Sequence, residues 1–443
     1  MERLFVSRFV HFFRTKDGTP LAYCSKTNSF IELFEQIYSL LQRCQSEKMP
    51  LNESSVKQDV LQTLVNEGFV GKWTDDEDYI LSSQFLTQTV QHDKSKLNLV
   101  LAPTLDCNFD CSYCFEGNKH GGVMSNSTID KLLDFIEGNE GKDNTSLTWY
   151  GGEPLLAINA IEKILHGIDN MGIKLQSHSI VTNGYYFEGK AIDVFRKYTL
   201  NNIQITLDGR KERHDKLRKQ KGSKSPSYDR IIENIAHVSK EFPGARVSVR
   251  VNVDKGNVDD YYALFKEMKE KERLDNVVVY PGIIRLDNAE KTNIVEPALG
   301  CYESSYLFYD IYSKGMLGKE VYPCMSHARI CCASSANSFI IGPLGEIYKC
   351  WNDVSDKTRI VGCIDGNDIV NKQLYYRYHV GCVWYNDAEC RSCFYLPICN
   401  GKCAWYNERN LYHGGEYNLC QCMQKAPGLL DKCLEDYYKL CNK

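Results

Sequence analysis

Three closely spaced cysteines are the residues of this sequence whose types and spacing point most directly to chemistry. Cys107, Cys111 and Cys114 follow the apolar run "LNLVLAP" in a C-x3-C-x2-C pattern. They have no nearby fourth cysteine, whereas a structural zinc site closes with four ligands. A cubane cluster has four irons, so three thiolates leave one iron open to an external ligand. The pattern therefore indicates an iron–sulfur cluster that also binds a small molecule.

Cysteine is abundant along the whole chain. The 443 residues include 20 cysteines, and the first stretch, "MERLFVSRFVHFFRTKDG", is interrupted by charge too often for a signal peptide. We therefore expect a cytoplasmic protein, in which thiols stay reduced and clustered cysteines bind metal or iron–sulfur groups. Isolated cysteines are expected to be small buried hydrophobes. The net charge of -4 predicts no nucleic-acid or membrane partner.

Strands alternate with helices between about Asp93 and Leu299. The strand-like segments are "KLNLVLAP", "TSLTWYGG", "SHSIVTNG", "NNIQITLDG", "ARVSVRVNV" and "NVVVYPGI". Six β/α units predict an α/β fold with a parallel sheet, either doubly wound or an open barrel. After about Cys301, cysteine and tyrosine become dense, and long helices are not expected there.

Most of these strands end in a motif with polar or conformationally special residues. The first is followed by the three cysteines, the second by "YGGEP", the third by "TNG" and the fourth by "TLDG", while the fifth carries Arg250 and Asn252. Active sites of parallel β/α folds lie at the carboxyl ends of the strands. We therefore expect these motifs to meet on one rim.

Together these motifs resemble the radical S-adenosylmethionine (SAM) superfamily closely. In that family, SAM chelates the open iron and is cleaved to a 5'-deoxyadenosyl radical. The resemblance implies a partial (β/α)6 barrel, with a 4Fe-4S cluster on the three cysteines and SAM as cofactor. It places Tyr113 beside the adenine, and it assigns Gly151, Gly152, Glu153 and Pro154 to the GGEP motif that holds the methionine amino group.

Three further residues are implied in SAM binding by the same resemblance. Thr206 or Asp208 would meet the ribose, and Arg250 would meet the carboxylate. Ordinary turn chemistry is the competing interpretation of "TNG" and "TLDG". A structural ion pair is the competing interpretation of Arg250. The sequence does not single out a catalytic base.

The cysteines of the last third resemble the SPASM domain, the C-terminal extension of peptide-modifying radical SAM enzymes, which holds two auxiliary 4Fe-4S clusters. Together, the radical SAM and SPASM resemblances cover the chain from about Leu97 to Met423. The SPASM resemblance assigns one cluster to Cys390, Cys393, Cys399 and Cys420, with Cys422 as the alternative to Cys420, and the other to Cys332, Cys350, Cys403 and Cys324, with Cys331 competing. Closed zinc sites are the rival interpretation, but one such site uses only four cysteines.

One position departs from the sulfatase-maturing relatives. In those enzymes an aspartate follows the cysteine that corresponds to Cys350 and serves as a base. Here that place is Trp351, and Asp353 comes two residues later. This departure disfavours formylglycine formation.

The N-terminal segment is predicted to be a winged-helix-like module. A helix is expected behind a cap at Asn28 or Ser29, a second helix ends at Gly68, and "YILS" reads as a strand. Residues 1–90 contain nine Lys/Arg against twelve Asp/Glu, a difference of -3, which disfavours phosphate binding. The pattern resembles the RiPP recognition element, which binds the leader of a ribosomally made peptide by strand addition. A purely structural cap on the barrel is the alternative.

The sequence thus predicts three domains: a leader-recognition module over 1–92, a radical SAM partial barrel over 93–318, and an irregular, Cys-rich SPASM domain over 319–443. The predicted activity is hydrogen abstraction from a precursor peptide followed by intramolecular crosslinking. A Cys thioether comes first, chiefly because it is common in the family. Carbon–carbon or carbon–oxygen crosslinking and sulfatase-maturing-type oxidation are the alternatives. An external electron donor such as flavodoxin or ferredoxin is also expected.

Overall fold

The structure is a computed structural model. It describes the whole chain except residues 1–2, 112, 115–121, 272–273, 285–297, 317–324, 326–329, 367, 400, 421–425 and 443. The described residues form two compact units. We call residues 93–299 and 332–379 the barrel unit, and residues 1–92, 300–331 and 380–443 the terminal unit. The three-domain division stays a prediction.

The terminal unit begins with two small antiparallel sheets and three helices. One sheet pairs β1 (Leu4–Val6) with β5 (Val70–Lys72), and the other has the order β2 (Val10–Arg14), β3 (Pro20–Cys24), β4 (Ser29–Glu32). The helices are α1 (Glu35–Ser46), α2 (Gln58–Asn66) and α3 (Trp73–Gln91). These are the kinds of element that the sequence predicts here, and the winged-helix-like module itself stays a prediction.

Two local predictions in this module are wrong. Ser29 to Glu32 form a strand paired with β3, so the first helix begins only at Glu35. The expected strand "YILS" lies inside α3. In both places the tertiary surroundings decide, because a short segment with apolar residues can serve either as a strand or as a helix.

The barrel unit contains the six predicted parallel strands. These are β6 (Leu97–Leu101), β7 (Thr145–Trp149), β8 (Ser177–Thr182), β9 (Asn202–Leu207), β10 (Arg246–Val253) and β11 (Val277–Ile283). They pair in sequence order, as β/α repeats do. The connecting helices are α4 (Asn126–Glu137), α5 (Ile158–Asn170), α6 (Lys190–Lys197), α7 (Lys211–Leu217), α8 (Tyr228–Glu241) and α9 (Val258–Lys266). The predicted α/β fold is confirmed.

Three later strands extend this sheet. They are β12 (Ser338–Ile341), β13 (Glu346–Tyr348) and β14 (Gly362–Cys363), and the short helix α11 (Lys372–Tyr376) follows them. β12 pairs with β6 in parallel, and β13 and β14 continue in antiparallel fashion, so the sheet has nine strands. The start of the predicted SPASM region is therefore built onto the first barrel strand.

The two faces of the barrel sheet differ in polarity. In β10, Val247, Val249 and Val251 are fully buried, as expected for the helix-covered face. The intervening Ser248 and Arg250 are partly buried and lie on the inner face. Neighbouring strands alternate in the same way, so the inner face carries polar side chains that water and a substrate can reach.

The rest of the terminal unit contains four helices. These are α10 (Cys301–Ser313), α12 (Ala388–Arg391), α13 (Ala404–His413) and α14 (Leu429–Cys441). The expectation that long helices vanish after Cys301 is therefore wrong. The expectation rested on dense Cys, Gly and Asn, but α14 carries Leu429, Cys433 and Leu434 on one buried stripe. None of the described helices combines the length and apolar character needed to cross a membrane.

Candidate functional site

The GGEP motif lies directly beside the segment that leads into the three cysteines. Gly152 N donates to Thr104 O at 3.2 Å, and Glu153 N donates to Asp106 O at 2.8 Å. A Cβ atom at Gly152 would collide with the carbonyl oxygens of Leu105 and Asp106. Gly151 has φ +110°, which favours glycine. The two glycines therefore allow the loops after β6 and β7 to touch through their backbones.

Glu153 joins the ends of β7 and β8. Its side chain is fully buried. Oε1 accepts hydrogen bonds from Leu155 N at 3.1 Å and Thr182 Oγ1 at 2.6 Å, and Oε2 accepts one from Asn183 N at 2.7 Å. Burial raises the pKa of Glu153, and these three hydrogen bonds oppose that rise. The carboxylate thus fixes the "TNG" turn against the GGEP loop.

Asn183 of that turn reaches the first cysteine. Its Nδ2 donates to Asn108 Oδ1 at 2.7 Å and lies 3.9 Å from Cys107 Sγ. Phe109 N donates to the same sulfur at 3.4 Å. Hydrogen bonds to sulfur help to set the properties of iron–sulfur centres. The sequence interpretation treated "TNG" as a possible plain turn, and the structure gives Asn183 a direct contact with the cysteine loop.

The three cysteine side chains are close enough to interact electrostatically. Burial raises the pKa of Cys111 to about 12, the nearby Arg218 opposes the rise, and Asp208, Cys107 and Cys114 add to it. A bound metal ion would reverse this balance, because a coordinating thiol loses its proton.

A buried polar network lies next to these thiols. Tyr113 OH donates to Asp208 Oδ2, and Arg218 Nη1 donates to Tyr113 OH at 2.8 Å. Asn252 Nδ2 donates to Asp208 Oδ1 at 2.9 Å, and Arg218 Nη1 lies 3.8 Å from the same oxygen. Arg218 is only 9% exposed. The network brings the predicted Tyr113 and Asp208 together with an arginine that the sequence interpretation missed.

The other two predicted SAM contacts lie one layer deeper in the sheet. Thr206 and Arg250 face each other in the register of β9 and β10, two residues before Asp208 and Asn252. Two residues of strand correspond to roughly 6–7 Å. Arg250 Nε donates to Asn252 Oδ1 at 3.1 Å. Of these two arginines, Arg218 is therefore the one that contacts the cysteine loop, through Tyr113.

Two buried donor atoms at this rim have no hydrogen-bond partner, so they could bind an acceptor on a cluster or on an organic ligand. They are Asn108 Nδ2, in the cysteine loop, and Arg218 Nε, in the polar network. Buried donors normally find an acceptor. The donor atoms, three thiols and a glycine-lined backbone fit a cluster with an anionic organic ligand. Within the described residues, no three His, Cys, Asp or Glu side chains are already arranged as a metal site.

The comparison with protein families bears on this rim. Residues 101–268, from the end of β6 to the end of α9, match the sequence model of the Radical SAM superfamily. The chain thus carries a radical SAM domain over this range. The matched range includes the three cysteines, the GGEP motif and the whole Tyr113–Asp208–Arg218 network.

Longer stretches of the chain are similar to known proteins, by sequence and by structure. The cysteine-type anaerobic sulfatase-maturating enzyme of Clostridium novyi is 23% identical over 361 residues, covering 74% of this chain and 92% of that one. The radical SAM cyclopropyl synthase TigE of Paramaledivibacter caminithermalis is 24% identical over 470 residues, covering 90% and 89%. Streptococcus suis SuiB bound to precursor peptide SuiA shares the fold, with a TM-score of 0.53, 15% identity and coverage of 95% and 100%.

In the terminal unit, four of the predicted auxiliary ligands come together. Burial raises the pKa of Cys390 to about 12, with Cys399 and Cys393 among the charges that act on it. Cys393 interacts in turn with Cys399 and Cys420. Gly401 N donates to Cys399 Sγ at 3.3 Å. Cys420 is thus placed with the other three, and its alternative, Cys422, lies outside the described residues.

The cysteine loop of residues 388–399, which we call the distal loop, packs against the N-terminal module. Ser25 Oγ donates to Phe394 O at 2.7 Å, and Phe394 and Ile398 pack with Phe13, Leu21 and Tyr23 on one face of the β2–β3–β4 sheet. Leu396 and Cys390 pack against Ile80 of α3. The predicted leader-recognition module and the distal loop therefore pack together in two hydrophobic clusters.

The second predicted auxiliary set is divided between the two units. Cys332 and Cys350 belong to the barrel unit, where Cys350 is buried and Cys332 packs beside Trp351. Cys403 belongs to the terminal unit and directly precedes α13. Cys324 lies outside the described residues, and its competitor Cys331 is exposed. This ligand set stays a prediction.

Asp353 lies two residues after Trp351, which occupies the position of the base in the sulfatase-maturing relatives. Its carboxylate is held by neighbours within the barrel unit. It is fully buried, and Arg359 Nε donates to its Oδ1 at 2.8 Å. Tyr378 OH donates to its Oδ2 at 2.8 Å, and Arg359 Nη2 donates to that hydroxyl at 2.6 Å. Trp351 packs edge-on against Tyr150, with ring centroids 4.5 Å apart. Asp353 therefore has a structural ion-pair environment.

Proposed function

We propose that this radical SAM protein crosslinks side chains within a ribosomally made precursor peptide. The observation that carries the proposal is the rim itself. Three closely spaced thiols, a backbone-lined GGEP loop, a buried polar network and two unpartnered donor atoms lie together at the carboxyl ends of β6 to β10. This is where a parallel β/α fold performs chemistry.

Different residues at this rim would bind the cluster and SAM. Cys107, Cys111 and Cys114 would hold a 4Fe-4S cluster, and Arg218, with its free buried Nε, would hold the SAM carboxylate. Tyr113 is fixed by Asp208, so its ring is positioned before a ligand arrives. When bound, the cluster and SAM supply a hydrogen-abstracting radical, and auxiliary clusters supply an acceptor for the electron that bond closure releases.

A peptide substrate is supported by the N-terminal module. In the described part of the chain, β4 pairs only with β3, so its other edge is open for strand addition. The acidic balance of this module disfavours nucleic acid. SuiB, which shares the fold over 95% of this chain, has been crystallised with its precursor peptide. A leader segment added at β4 would hold the precursor peptide on the protein.

Within crosslinking, a Cys thioether remains our first choice, with carbon–carbon or carbon–oxygen bonds as the alternative. Sulfatase-maturing-type oxidation has support from the Clostridium novyi relative. The chemistry of position 351 disfavours it, because Trp351 cannot accept a proton and Asp353 is engaged by Arg359 and Tyr378. The proposal therefore follows the crosslinking branch.

The distal and proximal cysteine sets would hold the two auxiliary clusters. The distal set comprises Cys390, Cys393, Cys399 and Cys420, and its interacting thiols support it. The second set, called proximal here, comprises Cys332, Cys350 and Cys403, with Cys324 or its competitor Cys331 as the candidate fourth ligand. An external donor such as flavodoxin or ferredoxin would supply the first electron. Three cubane clusters predict about twelve irons per chain, whereas a value near four would remove both auxiliary clusters.

Anaerobic incubation with SAM, dithionite and a candidate precursor peptide, taken from a short neighbouring open reading frame, tests the proposal. We expect 5'-deoxyadenosine together with a peptide that has lost two hydrogens, and tandem mass spectra that locate a crosslink. A peptide aldehyde would instead establish the sulfatase-maturing branch. Absence of 5'-deoxyadenosine from a fully iron-loaded enzyme would refute the enzyme proposal. A binding assay with tRNA in place of the peptide serves as the control for partner class.

A further inference from the structure

The inner face of the barrel carries a cation that the SAM site does not use. Arg250 lies on β10 between Thr206 of β9 and Tyr280 of β11, both of which are its register partners. It is partly buried. In this respect it differs from Arg218, which is nearly enclosed and lies 3.8 Å from Asp208. The two arginines therefore serve different parts of the rim.

The direction of the Arg250 side chain is fixed by a glycine on the edge strand. A Cβ atom at Gly282 would collide with Arg250 Nε and would lie 2.9 Å from its Cζ. Gly282 is the register partner of Asn252, and Arg250 Nε donates to Asn252 Oδ1 at 3.1 Å. The guanidinium thus leans across Gly282 towards the carboxyl ends of β10 and β11. β11 is the edge strand of the described sheet, so Arg250 lies one strand from that edge.

Charge is left unbalanced at this point. Among the described residues, no carboxylate lies within ion-pair distance of Arg250, and an amide oxygen is the acceptor of its hydrogen bond. Asp208, the nearby acid, already faces Arg218. A guanidinium presents a planar set of donors that matches a carboxylate in two-point contact. A half-buried guanidinium of this kind is suited to an anion that arrives with a ligand.

We infer that Arg250 is a specificity-determining residue that binds the side-chain carboxylate of an Asp or Glu in the peptide substrate. The inference rests on the proposed peptide-modifying function and names one feature of its substrate. It replaces the sequence-based assignment of Arg250 to the SAM carboxylate. The reason is position: Arg218 donates to Tyr113 of the cysteine loop, whereas Arg250 lies two residues earlier on β10 than Asn252, which contacts Asp208.

Three capped amino acids serve as probes for the anaerobic, iron-loaded enzyme with SAM bound. N-acetyl-glutamate α-methylamide carries only a side-chain carboxylate, N-acetyl-glutamine carries only an α-carboxylate, and N-acetyl-glutamine α-methylamide carries neither. Isothermal titration at millimolar concentration gives the three dissociation constants. We expect the first probe to bind about tenfold tighter than the third, as one charge-assisted contact implies.

Variants assign that discrimination to Arg250. Arg250→Met should bind the first and third probes equally, and Arg250→Lys should keep part of the difference because it keeps the charge. Gly282→Ala retains the arginine but displaces it, so it should reduce the discrimination. The SAM dissociation constant of Arg250→Met should rise by a smaller factor than the probe discrimination falls.

Several results would overturn the inference. They are equal binding of all probes to the wild type, a preference for the α-carboxylate probe, and discrimination that persists in Arg250→Met while SAM affinity falls tenfold. The same preparation is assayed for 5'-deoxyadenosine with SAM and dithionite. Loss of that product marks failure of the proposed function, whereas its presence without probe discrimination marks failure of this inference alone.

Discussion

The buried Asp353 gives a prediction that separates a structural aspartate from a catalytic base. Asp353→Asn keeps the shape of the side chain but removes its charge. The wild-type carboxylate is fully buried and accepts hydrogen bonds from Arg359 and Tyr378, both at 2.8 Å. In the variant, the Arg359 charge loses its counterion, and an amide NH2 faces one of the two donors.

The expected cost follows from the burial of this pair. The side chains of Arg359 and Asp353 are 7% and 0% exposed, so solvent screening does not reduce their interaction. Breaking a buried ion pair by removing one partner costs about 3–5 kcal/mol. For a compact unit of this size, each kcal/mol lowers the melting temperature by roughly 2–4 °C. We therefore expect Asp353→Asn to melt about 10 °C below the wild type.

Thermal unfolding of the anaerobic enzyme, followed by scanning fluorimetry, checks this value. Tyr378→Phe serves as a graded control, because it removes the two hydrogen bonds of the hydroxyl, to Asp353 and from Arg359, and leaves the ion pair intact, and it should cost about 1–3 kcal/mol. A double-mutant cycle with Arg359→Met should show strong coupling to Asp353→Asn. The structural account would be refuted by an unchanged melting temperature combined with loss of peptide modification, which is the behaviour of a catalytic base.

Three other outcomes are expected. His178 accepts from Trp149 Nε1 at 2.7 Å and its pKa is lowered by burial to about 4, so its neutral form stabilises the fold above pH 6.5. This contribution is lost progressively as pH falls, by about 2 kcal/mol at pH 5. His178→Gln should therefore flatten the curve of unfolding free energy against pH in this range. A variant curve that runs parallel to the wild-type curve would contradict the prediction. Ser25→Ala leaves the Phe394 carbonyl oxygen without its hydrogen bond from Ser25, so hydrogen exchange of the distal-loop amides should become faster, whereas the barrel amides serve as the control. Gly152→Ala should weaken SAM binding at least tenfold, whereas Gly244→Ala, which has open space, should not.

Much of the rim could be predicted from the sequence because its motifs follow strands. Cys107, Cys111, Cys114 and the GGEP loop sit at consecutive strand ends, and a parallel sheet must bring such ends to one edge. The pairing of Glu153 with "TNG" could not be predicted. It depends on how two turns approach each other in three dimensions, and hydrogen-bonding residues are common in turns.

Arg218 shows where the sequence signal was present but not specific. It ends α7 in "RHDKLR", a charged run that usually forms a solvated surface, yet the arginine is 9% exposed and faces Tyr113. Burial of an arginine is decided by its tertiary partners, here Tyr113 and Asp208. The only available signal was its distance of ten residues from Asp208 on the same β/α connection.

The errors in secondary structure have a common physical origin. Ser29 to Glu32 have apolar residues that fit a helical face, but Phe30 and Ile31 instead point to opposite faces of the β2–β3–β4 sheet. Phe30 packs with α14, which is distant in the sequence, at 5.5 Å from the Tyr438 ring. Contacts of this kind override local preferences, and one sequence offers no means of seeing them.

The central claim is that Cys107, Cys111 and Cys114 hold a cluster that cleaves SAM, separately from any auxiliary cluster. The most direct test compares the anaerobically reconstituted wild type with the triple Cys→Ala variant at these positions, by iron analysis and by 5'-deoxyadenosine formation with SAM and dithionite. We predict that the variant retains about eight of about twelve irons and forms no 5'-deoxyadenosine. A variant that still forms 5'-deoxyadenosine, or that retains the full iron content, would contradict the account.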